Sequence, residues 1–419
     1  MRAASMMLRA LGVERALFKG MEWVTVPWTF PEETQLVVRL RPARAERQRC
    51  PHCGRRCPGY DSGEGERRWR APDFGLVRVY IVSLAPRVRC SEHGVVVARV
   101  PWARHASGFT RAFEDTVAWL VVRTDRSTLS HLLRIAWRSV GAIAERVVES
   151  LRGSFDPFAN LKRIGIDEVS YRKGHRYLTV VVDHDSGRLI WASPKADEKT
   201  LLSFFDLLGT ERCRQLQLIS ADAAAWIKNA VQARCPQATL CTDPFHVVQW
   251  ATQALDTVRR AVWNDLRKSG APDLAATLKN ARWALWKNPE HLTEKQSCCL
   301  AQIQKTNRPL YRAYLLKEQL RAVFHAGSED AAALLGQWCS WAARSRLPPF
   351  KKVARTIRDH FHSITAAIEH RLSNARIEAI NNRLRLLTRL ACGFHSHGPL
   401  IALAMLKLGG FCPSLPGRD

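Results

Sequence analysis

No window of about 18 consecutive apolar residues occurs in this 419-residue sequence, so no stretch of it reads as a membrane-spanning helix. Its first twenty positions are interrupted by Arg2, Arg9, Glu14, Arg15 and Lys19, which argues against a signal-peptide core. Acidic residues are scarce: 38 Asp and Glu stand against 64 Lys and Arg, a formal net charge of +26 spread along the chain. The expected partner is therefore an acidic polymer, above all nucleic acid, with a ribosomal or membrane-surface protein as the ordinary alternative. A disulfide framework is also missing. Of 12 cysteines, Cys50, Cys53, Cys57 and Cys90 fall together and the other eight scatter, which suits a reducing, cytoplasmic compartment. There is no internal repeat and no low-complexity tract. What the chain does have is 14 Trp and 15 Phe, the mark of a folded protein and not of a basic tail. Its length exceeds what one core usually serves, so three or four packed units are expected.

Residues 22–40 have strand-like composition, and the cysteine group that follows sits among Gly, Pro and Arg, as loops around short strands do. From 109 to 151 the apolar period becomes helical, through Phe113, Val117 and Leu120, then Leu129, Leu132 and Leu133, then Val140, Ile143 and Val147. From Lys162 the pattern turns to strands at 164–167, 177–183 and 188–192, the last two joined at Asp185-Ser186-Gly187. A helix at 196–208, a strand at 215–220, a helix around Trp226 and a strand at 238–242 complete a mixed sheet with packed helices. Residues 247 to about 345 read as a Trp-rich helical block interrupting that unit, and long helices follow.

Cys50-Pro-His-Cys53 and, 36 residues after it, Cys90-Ser-Glu-His93 form two knuckles whose four soft ligands can close a tetrahedron around zinc. Cys57 and His52 are possible substitutes for any one of them. Arg47, Arg49, Arg55, Arg56, Arg87 and Arg89 surround the group and suit phosphate contact. Downstream, the second and third short helices, about 127–134 and 138–151, are spaced as a helix-turn-helix. Arg138, Ser139, Ala142 and Arg146 would then face a major groove, opposite Val140, Ile143 and Val147.

In so basic a chain, acids at strand ends carry information. Asp167 closes Ile164-Gly165-Ile166, and Asp222 follows Leu218-Ile219-Ser220-Ala221, so both carboxylates are expected on one edge of the sheet. Glu378 lies in a helix whose buried stripe is Ile377, Ile380, Leu384 and Leu387. Asn374, Glu378, Asn381, Arg385 and Arg389 share its other face. Three such carboxylates can hold two divalent cations about 3.5–4 Å apart, one activating a water or a 3′-hydroxyl and the other stabilising the leaving oxygen of a phosphodiester. Taken singly, each acid is as readily a turn, a helix cap or a partner for Arg. Glu168 and Asp183 are lower-ranked substitutes for Asp167. Asp243 competes with Asp222 as second ligand, and His246 can orient a phosphate.

Five ordered segments, Cys50-Pro-His-Cys53-Gly54, Arg163-Ile-Gly-Ile-Asp167-Glu168, Ser220-Ala-Asp222, Asp243-Pro-Phe-His246-Val247 and Asn374-Ala-Arg-Ile-Glu378-Ala-Ile-Asn-Asn382, resemble the ISL-three family of bacterial insertion-sequence transposases. The resemblance runs over nearly the whole chain. It implies a zinc ribbon, a helix-turn-helix and an α/β catalytic core of RNase H-like type, interrupted by an all-α insertion before the helix that bears the Glu. The implied DDE triad falls on Asp167, Asp222 and Glu378, with Asp243, His246 and Glu168 in support. The 155 residues between Asp222 and Glu378 agree with an inserted helical domain. The chain departs from the family at His93, where a Cys would complete the second knuckle, and at Gly398–Leu408, which is more apolar than the resemblance implies. In the insertion, Arg282-Trp283 and Trp286 resemble a family element; stacking on an unpaired base is one role and core packing the more ordinary one.

The expected order is an N-terminal β segment with zinc ribbon at 1–105, a helix-turn-helix at 106–155, the catalytic core at 156–246, the insertion at 247–345 and the rest of the core at 346–419. The expected function is a transposase that uses two Mg²⁺ or Mn²⁺ ions and a structural Zn²⁺. It would bind the double-stranded ends of its element as a homodimer or larger assembly and contact DNA also through Arg376, Asn374, Asn381, Arg385, Trp283 and Trp286. A catalytically silent DNA-binding regulator and a nuclease that hydrolyses without joining are the rival readings.

Overall fold

The structure, a computed structural model, describes residues 3–27, 33–174, 176–270, 281–326, 330–391 and 396–418, together with Ala275, Leu278 and Phe394. Parts of two expected elements, 28–32 of the strand-like stretch and 271–274, 276–277, 279–280 and 327–329 of the helical block, lie outside the described residues. The chain divides into two compact units, Met1–Pro157 with Leu386–Asp419, and Phe158–Arg385.

The first unit begins with a four-stranded sheet of β1 (Ala16–Val26), β2 (Glu33–Pro42), β4 (Glu66–Phe74) and β5 (Val77–Leu84), ordered β1-β2-β5-β4. Leu36, Val38, Trp69, Ile81 and Trp102 are buried against it, the β-branched and aromatic composition that a half-buried sheet favours. A smaller sheet of β3 (Gly59–Asp61), β6 (Arg87–Cys90) and β7 (Gly94–Val97) carries the cysteine group. Three helices follow at Arg111–Val121, Arg126–Leu133 and Trp137–Arg152. The first two start at side-chain caps: Thr110 accepts from the Phe113 N–H, and Asp125 from those of Ser127 and Thr128. Arg134, in the left-handed region at φ 52°, ends the second helix and opens the turn to the third.

The helix His397–Leu408 belongs to this first unit, where the sequence placed it in the catalytic core. Its apolar residues explain the difference. Leu400, Leu403, Leu406 and Leu408 are buried, and Pro399 sits so close to Gly141 of the third helix that a Cβ there would lie 3.1 Å from it.

The second unit is built on β8 (Arg163–Arg172), β9 (Arg176–Asp183), β10 (Leu189–Pro194), β11 (Leu218–Ala221) and β12 (Thr239–Thr242), ordered β10-β9-β8-β11-β12. The β10–β9 and β9–β8 pairs are antiparallel, and β11 runs parallel to both β8 and β12. Ile164, Ile166 and Ile219 bury on one face against Phe204 and Phe205 of helix Glu198–Leu208 and Ile227 of helix Ala225–Arg234. The other face receives the start of helix Ala375–Leu390, with Ile377 over Gly165; the helix's stripe Ile377, Ile380, Leu384 and Leu387 is buried as its period predicts.

Between them the helix Pro244–Lys268 opens an all-α insertion with its own core. That core runs from Val247 through Phe350, Val353, Ile357 and Ile364 to Ile368, and the same last helix, Phe361–Glu369, also lays Ala366 and Ala367 against Cys241 of β12. Trp338 lies within it, its indole N–H donating to Leu316 O at 2.8 Å. Buried Lys317 donates to the carbonyl of Leu285 at 3.0 Å, capping the helix Arg282–Trp286. No described helix is long and apolar enough to cross a membrane.

Candidate active site

Strand pairing decides where the carboxylates emerge. β11 pairs with β8 only as far as Ser220 opposite Gly165, while β9 stays paired with β8 to Arg172. Asp167 is therefore not the end of its strand, as the sequence suggested. It lies mid-strand opposite Val180, just past the point where β11 stops pairing with β8. Because side chains alternate, Asp167 shares the face of Gly165, away from the Ile164 and Ile166 core. A Cβ on Gly165 would overlap both Ile377 and His184 Nε2, so the helix bearing Glu378 rests directly on this glycine.

Parallel pairing of β11 and β12 brings Ala221 opposite Thr242, and Asp222 and Asp243 each follow one position later. They leave the sheet side by side. Asp243 N–H donates to Ala221 O at 3.1 Å, and Asp243 immediately precedes helix Pro244–Lys268, with no side-chain hydrogen bond to that helix's first N–H groups, and the first turn presents His246. His246 Nδ1 lies 2.7 Å from Asp222 Oδ1 and 3.1 Å from Asp243 Oδ2. Its N–H is aligned with Asp243, so Asp222 Oδ1 has the ionic contact but no aligned donor. Asp222 and then Asp243 push the imidazole pKa up to about 10. Ligand atoms of Asp222, Asp243 and His246 lie within 4.8 Å of one another.

Asp167 is held from two sides. Its Oδ1 accepts from the Glu168 N–H and its Oδ2 from Asn381 Nδ2, each at 2.7 Å. Burial pushes its carboxyl up to about 6 against the Glu168 N–H, with a further push from Asp222. Glu168 is raised in the same direction by burial and by Asp222.

Beneath these acids runs a buried polar chain. Ser220 Oγ donates to Asn374 Oδ1 at 2.6 Å and therefore accepts from His184 Nε2 at 2.7 Å, which fixes the proton of the neutral ring on Nε2. Burial, with help from Arg376, lowers the His184 pKa to about 4. Asn374 N–H reaches Asp243 Oδ1 at 3.3 Å. From sequence Ser220 figures only as the first residue of the Ser220-Ala-Asp222 segment, with no role of its own, and His184 not at all; a small hydroxyl two residues before a strand-end Asp is the only signal they give. Asn374 and Asn381, expected on a DNA-facing surface, are instead 1 % and 2 % exposed and serve the acids from inside.

Glu378 is exposed on the first turn of its helix, and among the described residues its side chain makes no hydrogen bond or ion pair. It stands four residues after Asn374 and three before Asn381, on the helix side that meets the acids. Arg376 and Arg385 are exposed; Arg376 Nη1 donates to Asp185 O at 3.4 Å and Arg385 Nη1 to Asn382 Oδ1 at 2.9 Å. Trp283 is exposed and Trp286 half-buried against the insertion core, with the Arg282 guanidinium 3.9 Å over its ring.

The residues at this site fit a divalent cation. Several carboxylates converge in a half-buried place that disfavours their charge, and among the described residues Asp222 Oδ1 and Asn381 Oδ1 are buried oxygens without a hydrogen-bond donor.

The ribbon residues fit zinc. Sγ of Cys53 and Cys90 are 3.7 Å apart, and His93 Nδ1 is 3.8 Å from Cys50 Sγ and 3.6 Å from Cys90 Sγ. A tetrahedron with bonds of about 2.3 Å has edges of about 3.7 Å. Backbone N–H groups of Glu92 and His93, with the His93 ring, draw the Cys90 thiol down to about 6. Cys57 is buried with its thiol donating to Arg55 O at 3.5 Å, and His52 stacks on the His93 ring at 5.0 Å.

In the three-helix segment Arg138 and Ala142 are exposed and Ser139 half-buried. Arg146 departs from the expected DNA face. Its Nε donates to the fully buried carboxylate of Glu114 at 2.7 Å, an acid that also takes Arg104 and cannot be left unpaired.

Comparison with known proteins gives the same three parts in the same order. Residues 46–93 match the zinc-finger of transposase IS204/IS1001/IS1096/IS1165, 98–148 the helix-turn-helix domain of transposase family ISL3, and 164–403, more than half the chain, the ISL3 transposase DDE family. The chain is 53 % identical over 403 residues to the transposase for insertion sequence element IS1557 of Mycobacterium tuberculosis, covering 92 % of this chain and 91 % of the relative. It is 26 % identical over 376 residues to the transposase for insertion sequence element IS1001 of Bordetella parapertussis, covering 88 % and 90 %. With its zinc-finger, helix-turn-helix and DDE segments all matched, the chain belongs to the ISL3 family of insertion-sequence transposases.

Proposed function

We propose that this transposase acts with Asp167, Asp222 and Glu378 as the ligands of two divalent ions, Mg²⁺ or Mn²⁺, on an RNase H-like core. The β10-β9-β8-β11-β12 order, antiparallel then parallel, supports that fold. The observation that carries the site is the convergence of Asp167, Asp222 and Asp243, half-buried or buried, with Asp222 Oδ1 left without a donor. Bound there, the metals would supply a nucleophile at neutral pH and charge stabilisation for the leaving 3′-oxygen. Asn381 and the Glu168 N–H orient Asp167; Asp243 and His246 brace Asp222; Ser220 and Asn374 dock the start of the Glu378 helix.

Cys50, Cys53, Cys90 and His93 hold zinc. The first 151 residues recognise the terminal inverted repeats, with Arg138, Ser139 and Ala142 toward the major groove and Trp283 offered to an unpaired base. Arg376 and Arg385 contact the DNA backbone. A homodimer or larger assembly holds both ends, and the protein works in the cytoplasm on the element's own DNA.

The test is cleavage and strand transfer on a labelled transposon-end duplex with Mg²⁺ or Mn²⁺, comparing Asp167→Ala, Asp222→Ala, Glu378→Ala and Asp243→Ala. Joined product that disappears in the first three variants and survives, weakened, in the fourth supports the assignment. Full activity in Glu378→Ala with none in Asp243→Ala moves the third ligand to Asp243. Cleaved but never joined product replaces the transposase reading with a hydrolytic nuclease.

A further inference from the structure

A cleft of about 680 Å³ in the first unit lies between the four-stranded sheet and the ribbon, and seven of its lining residues are cations against one carboxylate, Glu66. Three of the cations already have partners. Arg39 is paired with Glu66 and Glu22, Arg99 with Glu46, and Arg47 Nε donates to Pro42 O at 3.0 Å. The other four, Lys19, Arg41, Arg44 and Arg56, carry side chains that form no hydrogen bond or ion pair among the described residues, and all four are exposed. Lys19 reaches the cleft because β1 bulges there: Phe18 pairs with Leu40 and Gly20 with Arg39, leaving Lys19 without an opposite residue. A bulge re-aims the side chain it carries.

Four unneutralised cations brought together from β1, the end of β2, the turn after it and the first cysteine knuckle repel one another unless an anion joins them. Nothing else within the cleft supplies that charge. Among the described residues the lining also contains no aromatic side chain, so it offers no platform on which the bases of a single strand could stack. Its guanidinium groups suit phosphate oxygens. Two of the contributing strands, β1 and β2, precede residue 46, where the zinc-finger match begins, and belong to none of the three matched segments.

We infer that this cleft is a second duplex-DNA surface, separate from the helix-turn-helix, that grips the phosphate backbone of the transposon end without reading its sequence. The inference rests on the chain being a DNA-binding transposase. It enlarges the footprint on the end and adds a salt-dependent part to the affinity.

The experiment is equilibrium binding of the full chain to a transposon-end duplex across a salt series, with hydroxyl-radical footprinting. It compares the wild type with the combined variant Lys19→Ala, Arg41→Ala, Arg44→Ala, Arg56→Ala, with Arg138→Ala, and with the charge-keeping Arg41→Lys, Arg44→Lys, Arg56→Lys. Each lost phosphate contact lowers the slope of log K against log salt by about 0.9, so the fourfold variant should lose about 3 to 4 from it. It should also lose protection over a stretch distinct from the one affected by Arg138→Ala, on end and unrelated duplexes alike, while the lysine variant keeps most of the slope. Unchanged zinc content and thermal unfolding midpoint establish that the fourfold variant is folded. A slope and footprint equal to wild type in a folded fourfold variant overturn the proposal, as does a loss confined to single-stranded DNA or RNA. If the wild type itself shows no binding to the duplex, the DNA-binding reading fails, and the cleft proposal with it.

Discussion

Asn381 Nδ2 donates to Asp167 Oδ2 at 2.7 Å, joining the helix that carries Glu378 to the central strand of the sheet across 214 residues of chain. The bond leaves Asn381 Oδ1 buried without a partner beside the acids. An amide that is 2 % exposed and half-satisfied is costly as a packing element. It is better understood as a fixed arm that sets the direction of one carboxylate and the distance of the Glu378 helix from it.

Replacing Asn381 with Ala should therefore cost activity more than it costs binding. A hydrogen bond to a charged group is worth about 1.5–3 kcal/mol. Expressed in the transition state, that is a fall of about 10- to 100-fold in the rate of end cleavage. The Mg²⁺ concentration for half-maximal rate should rise, and affinity for the end duplex should stay at the wild-type value. A rate unchanged within twofold would show that Asp167 is oriented by the Glu168 N–H alone.

Gly165 carries the same contact from the sheet side. Alanine there puts a methyl group into Ile377 and against His184 Nε2, so Gly165→Ala should destabilise the second unit by about 1–3 kcal/mol, the range for overpacking. Ile377→Ala alone should also destabilise, by about 2–5 kcal/mol, because it opens a cavity. The two together should cost less than their sum, since each relieves the other's defect. Denaturant unfolding of the four proteins measures this coupling, and simple additivity would mean that the helix does not rest on Gly165.

Elements with strong local periodicity were legible in the sequence. The stripe Ile377, Ile380, Leu384 and Leu387 and the strands around Ile164, Val181 and Ile219 have alternations that only one backbone satisfies. What depended on distant partners was not legible. Asp167 looked like a strand end because nothing local shows that β9 stays paired to Arg172 while β11 stops at Gly165. Asn374, Asn381 and Arg146 looked solvent-facing because the sequence is polar on that side, and the partners that draw them inward, Ser220, Asp167 and Glu114, lie elsewhere in the chain. The apolar run at Gly398–Leu408 reads from the sequence as part of the catalytic core; its role as a cover for the helix Trp137–Arg152 needs Gly141, which only the fold puts beneath Pro399.

The ribbon offers a sharper discrimination, because the sequence supplies six candidate ligands, Cys50, Cys53, Cys57, Cys90, His52 and His93, and geometry favours four. Cys50, Cys53, Cys90 and His93 have ligand atoms within 4.8 Å of one another, whereas the Cys57 thiol donates to the Arg55 carbonyl. Cys90→Ser should abolish the bound zinc and lower the thermal unfolding midpoint of the first unit, since the Cys90 thiol is the one drawn down toward the thiolate and structural zinc is part of the folding energy. Cys57→Ser should keep the metal and most of the stability, losing only a small buried side chain. His93→Cys should keep it too, as a Cys₄ site is an equally good zinc tetrahedron. Metal content by elemental analysis, with thermal unfolding before and after chelator, decides between these ligand sets. Zinc retained in Cys90→Ser but lost in Cys57→Ser would transfer the fourth position to Cys57.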